Sequence, residues 1–267
     1  GDGGVAMVFN CPVDKLGDGQ LSPNELFAHG GILAVIDPGS CSAAAVYGES
    51  SATGAAMVGR NFDWHDVPGL SQRHNVQVYV NDDATDGIVG IGFLVSVPLV
   101  DLGENRLSGA LLASDMQVGY FASDGADSCP ADVRHAFEHS ASIGEVRVYW
   151  PHQQGAHSCI GFLADMNSAF VLENDLEHPS SRGLRTGASI LRDGVTWDIP
   201  DAVAAVNAFV AWGDGEFSGE PSNVKRFDSY KALLSKESRL DGSVDARNMQ
   251  SVMAYSGWTA SRKTPEP

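Results

Sequence analysis

Between residues 41 and 113 the apolar residues come in short runs separated by polar turns, which is the pattern of strands. CSAAAVYG (41–48) and AAMVGRNFDW (55–64) flank the polar ESSATG and predict a hairpin whose first residue is Cys41. VQVYV (76–80), IVGIGFLVSV (88–97) and LSGALLA (107–113) continue the β pattern. PADVRHAFEHSA (130–141) has helical spacing, EVRVYW (145–150) predicts a strand, and CIGFLADMNSAFVLEN (159–174) predicts a second hairpin turning at 166–168. Helices are expected at DAVAAVNAFVAW (201–212), DSYKALLSK (228–236) and VDARNMQSVMAY (244–255). Strands first and helices later imply an α+β fold in which sheets are covered by helices.

Residues 1–40 look like a separate piece with one helix signal. SPNEL (22–26) opens a helix, with Ser22 as N-cap, Pro23 at the first helical position and Glu25 closing a capping box. Gly30-Gly31 stops it, GILAVI (31–36) is strand-like, and DPGS (37–40) turns into Cys41. DKLGDGQLSPNE (14–25) resembles a calcium loop of the EF-hand kind. Asp14, Asp18, Ser22 and Glu25 would be its side-chain ligands and Gln20 its carbonyl ligand. Leu16 stands where another oxygen ligand is usual, so a capped helix after a polar turn is an equal reading.

The net charge of −17 over 267 residues argues against nucleic acid and against an anionic membrane surface. Residues 1–40 carry only −4 of it, so the acidity is spread along the chain and serves solubility. No apolar run reaches the roughly 18 residues of a membrane span. Cys11, Cys41, Cys129 and Cys159 show no CxxC spacing, which disfavours a structural zinc site. Cys129 with Cys159 is the favoured disulfide, leaving Cys11 free or bridged to the main domain. Cys41 itself can be a half-cystine, a small core residue, or the first residue of a mature enzyme. His152, His157 and Cys159 lie close in sequence, but their spacing matches no metal site, and surface histidines are the better reading.

GRNFDW (59–64), placed 18 residues after Cys41, carries a resemblance. Cysteine, a short hairpin and G-R-N-x-D together look like the N-terminal-nucleophile hydrolases of the choloylglycine hydrolase and penicillin acyltransferase group. GENRLSGALLASD (103–115), FLADMNSAFVLEN (162–174) and SNVKRFDSYKALL (222–234) resemble later blocks of that group, in its order. The resemblance runs from Cys41 to about residue 255. It implies a four-layer αββα domain over 41–267, a leader removed autocatalytically between Ser40 and Cys41, and Cys41 as nucleophile. It further implies that Arg60 and Asp63 flank the thiol and amine, that Asn174 lies on the oxyanion side, and that Arg226 is a second active-site arginine.

The chemistry suits these residue types. A free α-amine titrates near 7.7–8.0 and can take the proton of its own residue's thiol. Arg60 would favour the thiolate. Asp63 would hold the ammonium, Asn174 would donate to the oxyanion, and Arg226 would complete the charge network or bind the acyl carbonyl. Taken singly, Arg60 and Asp63 also fit a surface ion pair, Asn174 a turn, and Arg226 a solvated helix start. Two departures stand out. Asp115, beside Ser114, falls where the group has a second oxyanion asparagine; a carboxylate there would repel an oxyanion, so Ser114 or a backbone amide would substitute. The chain also stops at GWTASRKTPEP, where many relatives continue into further strands. Trp64 and His65, with residues 116–128, are expected to line the pocket.

The expected function is hydrolysis of a linear amide C–N bond in an acylated small molecule, through an acyl-cysteine thioester. Catalysis should need no cofactor, with calcium confined to the leader. Transfer of the acyl group to an amine is the close alternative. A non-catalytic secreted calcium-binding protein on a degenerate hydrolase fold is the rival from another class. A papain-like protease is disfavoured, because no CGSCW-like context surrounds Cys41. The cleaved leader can stay bound as a subunit, and a homo-oligomer is compatible with the sequence. Acidity, the calcium loop and the disulfide lean towards a secreted or periplasmic location.

Overall fold

The computed structural model describes residues 41–62, 74–80, 87–93, 100–103, 107–113, 129–150, 158–175, 183–211, 221–235 and 243–254. The leader, with its loop of Asp14, Asp18, Gln20, Ser22 and Glu25 and its end at Ser40, lies outside the described residues. So do Asp63, Trp64, His65, Ser114 and Asp115.

Two antiparallel sheets form the centre. In the smaller, β1 (Cys41–Val46) lies between β2 (Met57–Phe62) and β10 (Ala202–Val206). The larger runs in chain order through β3 (His74–Tyr79), β4 (Ile88–Phe93), β5 (Val100–Gly103), β6 (Ser108–Ala113), β7 (Cys159–Ala164), β8 (Ala169–Asn174) and β9 (Gly183–Arg185). The predicted hairpins β1–β2 and β7–β8 form as expected. The second turns where Asp165 Oδ1 accepts from the backbone N–H of Asn167 (2.7 Å) and Ser168 (2.9 Å).

Three apolar layers hold four structural ones. Cys41, Ala43 and Ala45 of β1 meet Ala110, Leu112, Phe162 and Val171 of the large sheet. On the other face of the small sheet, Ala44, Val46 and Ala204 pack against Phe227 and Tyr230 of α3 (Pro221–Leu234) and Met249 and Met253 of α4 (Ala246–Ala254). The outer face of the large sheet packs Leu163 and Phe170 against Val133 and Phe137 of α1 (Cys129–His139) and against Ile143 and Val146 of α2 (Ile143–Tyr149). The order is helix, sheet, sheet, helix. Every residue of β1 is buried, because a central strand covered on both faces has no solvent side.

Two predicted elements are corrected. EVRVYW is not a strand but most of α2. Ser142 caps that helix by accepting from Glu145 N–H (3.3 Å), and the Glu145 carboxylate accepts from Ala141 N–H (2.8 Å). Ile143, Val146 and Trp150 are then buried at helical spacing, while Val148 is exposed. DAVAAVNAFVAW is not a helix. Its AVAAV is β10, paired with β1 from Ser42↔Val206 to Val46↔Ala202 and buried throughout. An apolar run without alternation suits a strand buried on both faces as well as a buried helix, and tertiary pairing decides. The helix predicted at 228–236 begins earlier, at Pro221, whose fixed φ fits a first helical turn. Among the described residues no helix is long and apolar enough to cross a membrane.

Gly187 follows β9 where the chain presses on the 199–202 turn. A Cβ there would lie 2.2 Å from the carbonyl oxygen of Ala202 and 2.5 Å from those of Ile199 and Pro200. These are backbone atoms, which cannot swing aside as a side chain would. Gly187→Ala is therefore expected to destabilise the fold by about 3 kcal/mol, read as a lower urea midpoint at unchanged slope. A midpoint equal to wild type would contradict the packing described for this turn.

Candidate active site

Cys41 is the first residue of the central strand of the small sheet and is 3% exposed. It carries a thiol, whereas Cys159 is disulfide-bonded. The half-cystine reading of Cys41 is thereby set aside. The expected partner, Cys129, has its side chain outside the described residues.

Arg60 reaches the thiol through strand register. In the β1–β2 ladder Ala43 lies opposite Arg60, so Arg60 shares the inter-sheet face with Cys41 and Ala43. Its Nη2 lies 3.7 Å from Cys41 Sγ and donates to the Leu111 carbonyl on β6 at 2.7 Å. One guanidinium thus bridges the two sheets and sits against the sulfur.

Arg226 approaches from the other face. It lies on α3, is 2% exposed, and donates Nη1 to the backbone carbonyl of Cys41. Its Nη2 donates to Asn207 Oδ1 at 3.1 Å and to Asn223 Oδ1. Asn207 follows β10, and its Oδ1 also accepts the backbone N–H of Cys41 at 2.6 Å. Asn223 Oδ1 in turn accepts from Asn207 N–H at 3.2 Å. The two main-chain groups of Cys41 are therefore tied into one ring through Asn207 and Arg226. One turn further along α3, Tyr230 OH donates to Ser42 Oγ at 2.7 Å.

The segment after Asn207 is anchored separately. Glu173, on the inner face of β8, accepts from Val210 N–H and Ala211 N–H, each at 3.0 Å. The same carboxylate pairs with Arg185 Nε at 2.9 Å, and Arg185 Nη2 donates to the Ala204 carbonyl at 2.7 Å. Burial pulls the Arg185 guanidinium below its ordinary range, and the Glu173 charge opposes that shift.

Of the described residues expected at the site, the structure brings Arg60 and Arg226 to Cys41 and places Asn174 elsewhere. Asn174 pairs across the β7–β8 ladder with Cys159 and shares its outer face, the one that packs against the helices α1 and α2. Its Nδ2 lies 4.0 Å from Cys159 Sγ. The pleat puts the preceding residue, Glu173, on the inner face. The asparagine beside Cys41 is Asn207, which sequence reasoning enclosed in a supposed helix. Its signal was a lone amide interrupting the apolar run AVAAVNAFVAW.

Two facing antiparallel sheets between helical layers, with a cysteine opening the central strand of the smaller sheet, make up the αββα fold of the N-terminal-nucleophile hydrolases. No family profile matches the chain, and no curated protein does. Among solved structures, it is similar to a Caenorhabditis elegans N-acylethanolamine-hydrolyzing acid amidase ortholog, with a TM-score of 0.54 at 13% identity over 84% of this chain and 88% of that one. A mutant of conjugated bile acid hydrolase from Clostridium perfringens matches with a TM-score of 0.50 at 13% identity, over 80% of this chain and 78% of that one. Likeness at this identity concerns the fold.

Replacing Arg226 by methionine keeps the apolar stem and removes the donors to three buried oxygens. Arg226→Met is expected to cost about 3 kcal/mol, since the Cys41 carbonyl, Asn207 Oδ1 and Asn223 Oδ1 each lose a charge-assisted hydrogen bond, although the two amides keep their backbone donors. Urea denaturation reads this directly. A loss below about 0.5 kcal/mol would mean that the ring around Cys41 contributes little, as for an ordinary surface change.

Proposed function

We propose that the chain is a cysteine N-terminal-nucleophile amidohydrolase, which cleaves itself between Ser40 and Cys41 and then hydrolyses a linear amide bond in an acylated small molecule. The observation that carries this reading is the ring that holds Cys41 N–H on Asn207 and Cys41 C=O on Arg226, with Arg60 against the sulfur. A structural cysteine needs none of these contacts. The activities named for the two fold neighbours, on an N-acylethanolamine and a conjugated bile acid, give the substrate class its direction.

In maturation the Cys41 sulfur attacks the carbonyl carbon of Ser40. The C–N bond breaks, its electron pair stays on the Cys41 nitrogen, and that nitrogen takes a proton. The resulting thioester is hydrolysed by water, leaving a Ser40 carboxylate, a free thiol and a free α-amine. In turnover the α-amine accepts the thiol proton, and Arg60 stabilises the thiolate. Sulfur attacks the substrate carbonyl, and the tetrahedral oxyanion is met by hydrogen-bond donors. Asn207 takes the donor role that the resemblance gave to Asn174. Two donors on its Oδ1 fix which end of the amide is oxygen, so Nδ2 is the donor end. The α-ammonium then protonates the leaving amine, and water releases the acid from the thioester. Asp63 would hold the α-ammonium between these steps.

Intact mass and N-terminal sequencing of the purified chain test the first step. Wild type is expected to yield an N-terminus reading CSAAAVYG, and Cys41→Ala to stay whole. A wild-type chain that remains uncut would remove the α-amine base and with it this function. For the second step, Asn207→Ala in the processed enzyme should lower turnover of a fluorogenic N-acyl amide about 100- to 1000-fold. Turnover within a factor of two of wild type would take the oxyanion role away from Asn207.

A further inference from the structure

On the opposite side of the large sheet from Cys41, helix α1 carries a cluster that the amidase reading does not use. Its last five residues are His135, Ala136, Phe137, Glu138 and His139. Ala136 and Phe137 are fully buried against the sheet, which turns the two histidines outward, where both are exposed, with Glu138 half-buried beside them. His135 and His139 are one helical turn apart and so share a face. Their rings meet edge to face with centroids 4.8 Å apart. One ligand atom from each of His135, Glu138 and His139 can be chosen so that all three lie within 4.8 Å of one another.

The geometry points to a binding site for a divalent transition metal, zinc in its chemistry, held by two imidazoles and a carboxylate at the end of α1. Imidazole nitrogens and a carboxylate oxygen are the donors zinc prefers, at about 2.0–2.2 Å each. Exposed side chains close from 4.8 Å to that arrangement by small rotations about their own bonds. A second contact sets the ring. Tyr149 OH, from the neighbouring helix α2, lies 3.5 Å from His135 Nδ1. A metal-bound histidine commonly has its other ring nitrogen hydrogen-bonded, which fixes tautomer and orientation. That leaves Nε2 of His135 as the ligand atom. An open depression of about 620 Å³ beside His139, walled by Tyr149 and Val148, leaves space for water to complete the coordination. The chain's charge of −17 further raises the local concentration of cations.

This site is independent of the amidase reading, and the test keeps the two apart. Full-length Cys41→Ala, which removes the active-site thiol as a competing zinc ligand, is titrated with zinc chloride by isothermal calorimetry. One zinc per chain is expected at this site. His135→Gln/His139→Gln in the same background should abolish that binding, and Glu138→Gln should weaken it. Tyr149→Phe touches no metal and should weaken it about tenfold by releasing the ring of His135. All four positions can be checked for intact folding by thermal unfolding without zinc. The proposal is overturned if Cys41→Ala takes up no zinc, or if the double histidine variant takes up as much as its parent.

Discussion

The guanidinium of Arg226 is the point on which the arrangement of this domain turns. Burying a cation carries a desolvation cost of several kcal/mol unless its donors are met. Here they are met by oxygens from three separate elements: the Cys41 carbonyl of β1, the Asn207 amide after β10, and the Asn223 amide of α3 itself. The helix cannot slide along the small sheet without losing the bonds to the Cys41 carbonyl and to Asn207 together. The position of the first residue of β1 is thereby set by a side chain 185 residues away in sequence. A residue needed only for packing would not require both of its main-chain groups to be fixed by side chains.

Small side chains make the second arginine possible. Ala43 and Ala45 of β1 face Ala110, Ala164 and Ala169 across the sheets, in one apolar layer with Leu112, Phe162 and Val171. Arg60 on β2 can then span the gap and reach the Leu111 carbonyl on β6 while keeping its Nη2 against Cys41 Sγ. Leucines at 43 and 45 would bury more apolar area, each by a few tens of Å². They would also hold the sheets too far apart for that 2.7 Å bond. The alanine run CSAAAV is thus chemistry expressed through packing: apolar burial is given up so that a cation can stand at the sulfur.

Much of this was legible in the chain. The first hairpin, its start at Cys41 and the arginine placed to reach it follow from the run lengths and from GRNFDW. Arg226 was legible through its block as well. What failed did so for identifiable reasons. VRVY alternates like a strand, and only the Ser142 cap with Glu145 three residues on, a local signal at its start, tells the helix apart. AVAAV has no period at all, because β10 is buried on both faces, so a strand and a buried helix predict the same letters. Reading that run as a helix hides Asn207, the amide that the structure places on the backbone N–H of Cys41. No periodicity could have corrected this. The contact between residues 41 and 207 is made by folding alone.

The hairpin of β7 and β8 still contributes to the site, one residue away from where it was expected. Glu173 points inward where Asn174 points outward, and its carboxylate grips the N–H groups of Val210 and Ala211, just past Asn207. An aliphatic residue at 173 would leave two backbone donors in a dry layer without an acceptor, and Arg185 without its counter-charge. Losing one partner of a buried ion pair is costly in itself, and the carboxylate adds directionality, because two converging N–H bonds specify where a loop turns and an apolar contact does not. On this argument the Glu173–Arg185 pair belongs to the site although neither side chain is among those contacting Cys41: it fixes the path of the segment that carries Asn207, and Asn207 fixes the nitrogen of Cys41.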